Sequence, residues 1–478
     1  MRKISPEEKK QFPPHRMNIF TLVMINVAAM ISLASLPEVA GYGLSAIFYY
    51  LFAVVVFLIP VSLVAAELAT GWPKHGGVYI WIKEALGPHW GFLAIFLQWV
   101  QIVFFYPTIL TFGAVALVSS VYPDWVTNRL YIYLFIIIFF WTATFVNFYG
   151  MKISGKMSTI GVIAGTIIPG SLLILLALLS LLLGNPSQTP LSLPAFIPDL
   201  SLDHIIFAIG IFLTFAGMEM SATHAEEVVN PQKNFPKAIF ITVGLVMVIM
   251  TLGAVAISIV VPNSDLTLNA GLMQAFNVFL TTFNISWLFP LISICLILGV
   301  FGTITTWIVG PTKGLLQVSR HGYLPPFFQK TNKNHVPIVL LILQGIIVSF
   351  IALIIFFAPD VDSAFWMLSS LAIQSYLIMY ILLFITGIKL RYTEPDVPRA
   401  FRVPFMNIIA GLGIFASVFG LLVGFIPPPS IGIKDTFGYA LTLFIIIIFV
   451  CTIPLSVYYL RRDSWDTDPE DKLTPILD

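Results

Sequence analysis

Long runs without a charged side chain are the feature that most limits how this chain can fold. Eleven runs contain no Asp, Glu, Lys or Arg, and each can supply the roughly 20 apolar residues that a membrane-spanning helix requires. They cover residues 17–37, 39–66, 85–123, 130–151, 157–198, 238–264, 266–312, 334–359, 363–388, 403–433 and 436–460. A twelfth run, 204–225, is interrupted only by Glu219. The pattern predicts an all-α membrane protein with twelve transmembrane helices, here called spans one to twelve.

Composition excludes the other broad classes of protein. The chain is 58% hydrophobic and 10% charged, whereas a soluble domain has about 25% charged residues. The runs are too continuous for membrane β-barrel strands, which alternate apolar and polar residues. A net charge of +1 indicates no nucleic-acid partner. The seven histidines lack metal-ligand spacing and no GxxxxGK segment is present, so no metal, cofactor or enzymatic activity is predicted.

The basic residues indicate how the spans are oriented. If residues 1–16 are cytoplasmic and the spans alternate, all but two of the 24 Lys and Arg residues fall on the cytoplasmic side. The two exceptions are Arg129 and Lys434. Because cytoplasmic loops of membrane proteins carry an excess of Lys and Arg, both termini are predicted to be cytoplasmic.

Two predicted spans contain residues that interrupt a helix. Span one runs through small and hydroxyl residues from Ala28 to Ser35 and then meets Pro37, which cannot continue the helical hydrogen-bond ladder. Span six carries Gly217 and Glu219 within FAGMEMSA. A carboxylate at bilayer depth costs at least about 2.5 kcal/mol, so it normally lines a cavity or pathway. Breaks in spans one and six are expected when spans one to five and six to ten form inverted repeats around a midplane site.

The predicted organisation has five parts. They are a cytoplasmic tail (1–16), a first inverted repeat with spans one to five (17–203), a second with spans six to ten (204–402), spans eleven and twelve (403–460) and a short acidic cytoplasmic tail (461–478).

An interrupted helix exposes backbone groups that suit an α-amino acid. Free N–H groups at the start of the second half-helix attract a carboxylate, and free carbonyls at the end of the first attract an ammonium group. The alternative interpretation is that Ser32, Ser35 and Gly217 only allow close packing between membrane helices. Their paired occurrence in spans one and six favours the binding site.

Four stretches of the sequence are similar to a known family. They are AAELATGWPKHGGVYIWIKEALGPHWGF (65–92), FAGMEMSATHAEEVVNPQKNFPKA (215–238), TTWIVGPTKGLLQVSRHGYLPPFF (305–328) and KNHVP (333–337). With these stretches the chain resembles the APC superfamily of amino acid transporters, and within it the bacterial glutamate/GABA antiporters. The resemblance implies a LeuT-like 5+5 inverted repeat plus two extra C-terminal helices, and exchange by alternating access.

The resemblance also implies two groups of site residues. The substrate-binding group is Met30, Ile31, Ser32, Leu33, Ala34, Phe215, Ala216, Gly217, Thr303 and Trp307. The gating or proton-linked group is Glu219, Trp99, Gln101, Tyr376 and Tyr380. Glu219 is expected to couple movement of span six to substrate and protons, and the alternative is a static hydrogen-bond acceptor for the span-one backbone. Trp307 is alternatively a core or lipid-facing residue, and Gln101 a hydrogen-bond partner of a neighbouring helix.

The chain departs from the glutamate/GABA antiporters in two places. Thr303 stands where their pattern has an acidic residue, four positions before the span-eight tryptophan, which leaves room for neutral amino acids. The 16 residues after Arg462 are expected to be too short to plug the cytoplasmic vestibule. Some relatives in the superfamily place a lysine within span five as a proton-carrying substitute for sodium. Here span five carries Lys156 only at its cytoplasmic start, and no sodium site is evident. Obligatory exchange is therefore favoured over symport.

The main prediction is an amino acid antiporter of the cell (inner) membrane, with glutamate/GABA exchange as the first substrate pair. A neutral amino acid permease and a proton-coupled symporter of the same fold are the alternatives. A non-transporting amino acid sensor would be expected to carry a signalling domain, and a channel would favour a continuous polar pore. The predicted partners are small amino acids and the lipid bilayer, and no oligomeric state is predicted.

Overall fold

A computed structural model describes residues 18–73, 76–219, 230–428 and 433–465. Within these ranges the chain forms α-helices joined by short turns, and no β-strand occurs. In chain order the α-helices are α1 Ile19–Met30, α2 Leu36–Ala40, α3 Ala46–Ala53, α4 Ile59–Gly71, α5 Val78–Leu86, α6 Pro88–Val121, α7 Arg129–Asn147, α8 Met151–Val162, α9 Ile168–Leu182, α10 Leu202–Thr214, α11 Pro231–Val260, α12 Gly271–Thr282, α13 Phe289–Arg320, α14 Ile338–Ile351, α15 Ile354–Phe357, α16 Val361–Thr393, α17 Met406–Val423 and α18 Thr436–Tyr459.

Eleven segments of the described chain are long and apolar enough to cross a membrane. They are Ile19–Ala40, Gly43–Gly71, Pro88–Val121, Arg129–Asn147, Gly155–Leu182, Pro236–Val260, Ser286–Arg320, Ile338–Phe357, Val361–Thr393, Met406–Val423 and Thr436–Tyr459. They correspond to predicted spans one to five and seven to twelve. Predicted span six is represented by the 13 residues of α10, and its continuation at 220–229 lies outside the described residues. The all-α membrane architecture is confirmed, and the twelfth span stays a prediction.

Three long helices form the centre of the bundle. α6 packs against both α13 and α16, and α16 also packs on α17. α6 begins after Gly87, whose φ of 99° is accessible to glycine, and Pro88 occupies the first helical position, where a missing N–H breaks no hydrogen bond. In the apolar window of α6, 83% of the residues are buried, against 22% in α18. α6 is therefore a core element, whereas α18 turns most of its apolar surface outward.

Glycines bring spans five and eight into backbone contact. A Cβ added to Gly161 would lie 2.6 Å from the carbonyl oxygen of Leu298, and one added to Gly299 would lie 2.6 Å from that of Gly165. Real Cβ atoms do not approach oxygen so closely, so any side chain here would push the helices apart. This glycine contact between the two helices, here called the crossing, therefore sets the distance between span five and the part of α13 that follows Gly299.

A buried ionic cluster joins the end of span two to the segment after α16. The Glu67 carboxylate is 2% exposed and accepts hydrogen bonds from Arg391 Nε at 2.9 Å, from Arg391 Nη2 and from the Val403 N–H at 2.7 Å. Arg399 Nε lies 3.4 Å from the same carboxylate, and its guanidinium lies over the ring of Trp72, 5.0 Å from the centroid. The Glu67 carboxylate is thus paired with two arginines of the same chain, one at the end of α16 and one in the segment after it.

We expect Glu67→Ala to lower the free energy of unfolding by about 3 to 5 kcal/mol, because breaking a buried ion pair leaves an uncompensated charge. Thermal unfolding of the purified protein in detergent measures this change. Asp124→Ala is the control, because Asp124 is exposed and lies in a short turn between α6 and α7. Equal stability of the two variants would contradict a stabilising role for this cluster.

Candidate functional site

Span one is interrupted in the middle. α1 ends at Met30, and Ile31 and Ser32 have extended backbone, with ψ of 110° and 106°. A 3-10 turn then leads into α2. The non-helical part is shorter than the predicted stretch 28–35, because the first three of those residues complete α1. Pro37 lies in the first turn of α2, so it starts the second helix rather than ending the first.

The described part of span six also leaves the helical conformation. α10 ends at Thr214, and Ala216 and Gly217 lie outside any helix. Gly217 has φ of 105°, a region that favours glycine because it has no Cβ. A Cβ at Gly217 would lie 3.1 Å from the ring of Trp307 and 3.2 Å from the carbonyl oxygen of Ala29. The glycine thus lets the span-six backbone approach both α13 and span one.

Both non-helical segments border one internal cavity, whose wall is completed by α6, α13 and α16. The predicted site residues that line it are Met30, Ile31, Ser32, Ala34, Gln101, Ala216, Thr303, Trp307 and Tyr376. Across the cavity wall the hydroxyl of Ser35 lies 3.2 Å from that of Thr214, which joins spans one and six directly. The structure thus brings together residues that are far apart in the sequence.

The other predicted site residues lie behind this wall. They are Leu33, Trp99, Phe215, Gly217, Glu219 and Tyr380. Leu33 borders a smaller neighbouring cavity that also contacts Thr303. Phe215 is fully buried, with its ring centroid 5.7 Å from that of Tyr50. The indole N–H of Trp99 donates to Gln344 Oε1 at 2.6 Å, so this side chain joins α6 to α14.

The Glu219 carboxylate is fully buried and accepts hydrogen bonds from three side chains. Gln98 Nε2 donates to Oε1 at 2.9 Å, the Tyr376 hydroxyl donates to the same oxygen, and the Tyr380 hydroxyl donates to Oε2 at 2.7 Å. The Tyr380 hydroxyl also accepts the Gly217 N–H at 2.9 Å. These partners lie on α6, α16 and span six, whereas the alternative interpretation expected the span-one backbone.

This arrangement suits an ionised carboxylate, because all three partners of Glu219 act as donors. A protonated carboxyl group would have to turn one acceptor oxygen into a donor and lose at least one of these bonds. Tyr376 connects the carboxylate to the cavity, since its ring lies edge-on to Trp307 with centroids 6.3 Å apart. A change at Glu219 can therefore be transmitted to the cavity wall without direct contact with a bound molecule.

Comparison with known proteins decides the family. Residues 17–451 match the family described as Amino acid permease. The chain belongs to this family. An uncharacterized transporter from Legionella pneumophila is 41% identical over 88% of the chain and 92% of its own length. A glutamate/gamma-aminobutyrate antiporter from Lactococcus lactis is 33% identical over 96% of the chain and 93% of its own length. A protein from the same species, named as a probable agmatine/putrescine antiporter, is 26% identical over 81% of the chain and 82% of its own length.

Membership of the amino acid permease family confirms the resemblance predicted from the sequence. It also confirms that this family member is a transporter rather than an enzyme. The roles of individual site residues in this permease stay predictions.

Sequence analysis misses two polar residues of this permease. The charge-free runs put Glu38 at the boundary between spans one and two, but the structure places it within α2, where it is 8% exposed and lines the cavity. Its apolar neighbours are the signal that could have identified it as an intramembrane carboxylate. The second is Gln98, which donates to Glu219 and which the sequence analysis did not single out, although it named the neighbouring Trp99. One residue turns a helix by about 100°, so neighbouring positions face different elements.

Proposed function

We propose that this chain is a secondary transporter that exchanges amino acids, or an amino acid for its decarboxylated amine, across the cytoplasmic membrane by alternating access. The observation that carries the proposal is the single cavity bordered by the non-helical parts of spans one and six. Exposed backbone N–H and C=O groups at such helix ends suit the carboxylate and ammonium groups of an α-amino acid. Thr303 and Trp307 on α13 are positioned to contact the rest of the substrate.

The proposed architecture has twelve spans with both termini in the cytoplasm. Two inverted repeats, 17–203 and 204–402, are followed by spans eleven and twelve at 403–460. The interruptions in the first and sixth predicted spans support this arrangement, because each is the first helix of its repeat. The distribution of Lys and Arg supports the orientation.

Relatives support exchange as the mode of transport. Two of them are named as antiporters, one for glutamate and gamma-aminobutyrate and one for agmatine and putrescine. Glutamate/GABA exchange is the first substrate pair to test, and a neutral amino acid is the alternative because Thr303 has no charge. Glu219, Trp99 and Tyr380, which lie behind the cavity wall, are proposed as the gating and proton-linked group together with Tyr376 and Gln101, which line the cavity.

Counterflow in proteoliposomes tests the proposal. Liposomes loaded with one unlabelled amino acid should take up labelled amino acid from outside, at acidic and at neutral pH, and empty liposomes should not. Absence of exchange with any amino acid or amine would refute the function. Accumulation into empty liposomes would replace obligatory exchange with symport, and non-saturable uptake would indicate a channel.

Thr303→Glu is expected to shift selectivity about 10-fold or more toward substrates with a side-chain ammonium or a protonated carboxyl group. Thr303 is 5% exposed and lines the cavity, and a charge-assisted hydrogen bond there is worth about 1.5–3 kcal/mol. Competition of unlabelled amino acids against counterflow measures the shift. Thr303→Gln has the same size without the charge and is the control. An unchanged selectivity profile would remove Thr303 from the site.

A further inference from the structure

A second buried carboxylate, that of Glu38, lies apart from Glu219 and its hydrogen-bond partners, and unlike Glu219 it lines the cavity. Glu38 occupies the first turn of α2, is 92% buried and lines the cavity together with Ser32 and Gln101. No described residue donates a hydrogen bond to its carboxylate. An intramembrane carboxylate without a partner is costly and usually marks a pathway or a ligand.

The fold makes space for this carboxylate on the facing helix. A Cβ added to Gly210 would lie only 2.7 Å from Glu38 Oε2. Gly210 also lines the cavity, on α10 in predicted span six. A side chain there would push the carboxylate out of its position, so the absence of one keeps Glu38 turned toward the space between spans one and six.

Two polar groups that line the cavity together with Glu38 have no hydrogen-bond partner among the described residues. They are the hydroxyl of Ser32 and the side-chain carbonyl of Gln101, and both are buried. Each of them can accept a hydrogen bond from a ligand. Among the described residues that line the cavity there is no Lys or Arg to balance the negative charge. A ligand that complements this wall is a donor with a positive charge.

We propose that the cavity binds substrates with a second ammonium group, and that Glu38 holds this group. The inference rests on the proposed function, because the first ammonium and the carboxylate of an amino acid are assigned to the interrupted helices. Diamino acids and their decarboxylated diamines fit the arrangement. Substrates with a side-chain carboxylate are disfavoured by repulsion from Glu38, so this inference keeps amino acid exchange but departs from the glutamate/GABA pair that the relatives suggest.

A purely local role for Glu38 makes a different prediction. As an acidic residue in the first turn of α2, Glu38 also interacts favourably with the positive end of the helix. Loss of that interaction would weaken binding of all substrates alike. Loss of a contact to a second ammonium group weakens only the substrates that carry one.

The test compares ligands that differ only in the second ammonium group. Ornithine is compared with norvaline, and putrescine with butylamine, by equilibrium binding of labelled compounds to the purified full-length protein in detergent. We expect the unmodified protein to bind ornithine about 10-fold to 100-fold more tightly than norvaline, which is the range of one charge-assisted hydrogen bond. Equal affinities would overturn the proposal without any variant.

Glu38→Gln should remove this preference while norvaline binding stays within about twofold, which also shows that the variant is folded. Asp124→Asn removes a carboxylate from an exposed turn and should keep the preference. An equal loss of affinity for both ligands in Glu38→Gln would overturn the assignment in favour of the helix-end role. Binding preference decides this inference and counterflow decides the proposed function, so the failure of one can be distinguished from the failure of the other.

Discussion

Glu219→Gln is expected to lower the initial rate of amino acid counterflow about 100-fold or more. The carboxylate accepts hydrogen bonds from Gln98, Tyr376 and Tyr380, and an amide would turn an N–H toward at least one of these donors. Each hydrogen bond to a charged group contributes about 1.5–3 kcal/mol. Losing one of the three bonds, and the charge that strengthens the other two, removes about 3 kcal/mol or more, which corresponds to a factor of 100 or more. The substitution should also change the pH dependence of exchange, because it removes the carboxyl group on which these three hydrogen bonds converge.

Two further variants separate loss of transport from loss of folding. Tyr376→Phe and Tyr380→Phe each remove one donor and keep the ring, so each should lower the rate by about 10-fold. Thermal unfolding of all three proteins shows whether the rates follow stability. If Glu219→Gln left both the rate and the pH dependence unaltered, Glu219 would have no gating or proton-linked role.

Gly299→Ala is expected to destabilise the protein by about 3 kcal/mol, the upper end of the range for overpacking. The added Cβ would lie 2.6 Å from the Gly165 carbonyl oxygen, and backbone atoms cannot move away as a flexible side chain can. Spans five and eight would separate, and Thr303, four residues further along α13, would shift relative to span one. We therefore expect a lower unfolding temperature together with weaker substrate binding.

Gly155→Ala is the matched control for this prediction. It lies on α8, the same helix as Gly161, but a Cβ there meets no atom within 4 Å. Since alanine is favoured over glycine in a helix by about 1 kcal/mol, this variant should be neutral or slightly more stable. If Gly299→Ala were as stable as Gly155→Ala, the crossing would tolerate a wider helix spacing than the structure indicates.

The intramembrane carboxylates illustrate how far prediction from sequence reaches. Glu219 stood out because a long apolar run surrounds it on both sides, and the structure places it in a buried node. Glu38 was missed because its charge was taken as the boundary between two apolar runs, 17–37 and 39–66. Both are buried, but only Glu38 lines the cavity, whereas Glu219 reaches it through Tyr376. Hydrophobicity detects depth in the membrane and cannot tell which face of a helix a residue occupies.

The break in span one shows the same limit at the level of the backbone. Small and hydroxyl residues predicted an interruption somewhere in 28–35, and the structure restricts the extended part to Ile31 and Ser32. Proline was expected to end the first helix, yet Pro37 begins the second. A proline is compatible with either end of a break, because it lacks an N–H that is unneeded at a helix start and cannot continue a helix already formed.

By itself the sequence determined that this chain is an all-α membrane protein, and it predicted polar interruptions in spans one and six. These properties follow from local composition, because lipid excludes charges and unpaired backbone groups wherever they occur along a helix. Only the tertiary structure decided which side chains meet: Gln98 contacts Glu219, Trp99 contacts Gln344, and Glu38 lies across from Gly210. The rotation of each helix depends on contacts with helices far away in the chain, and no local pattern records those contacts.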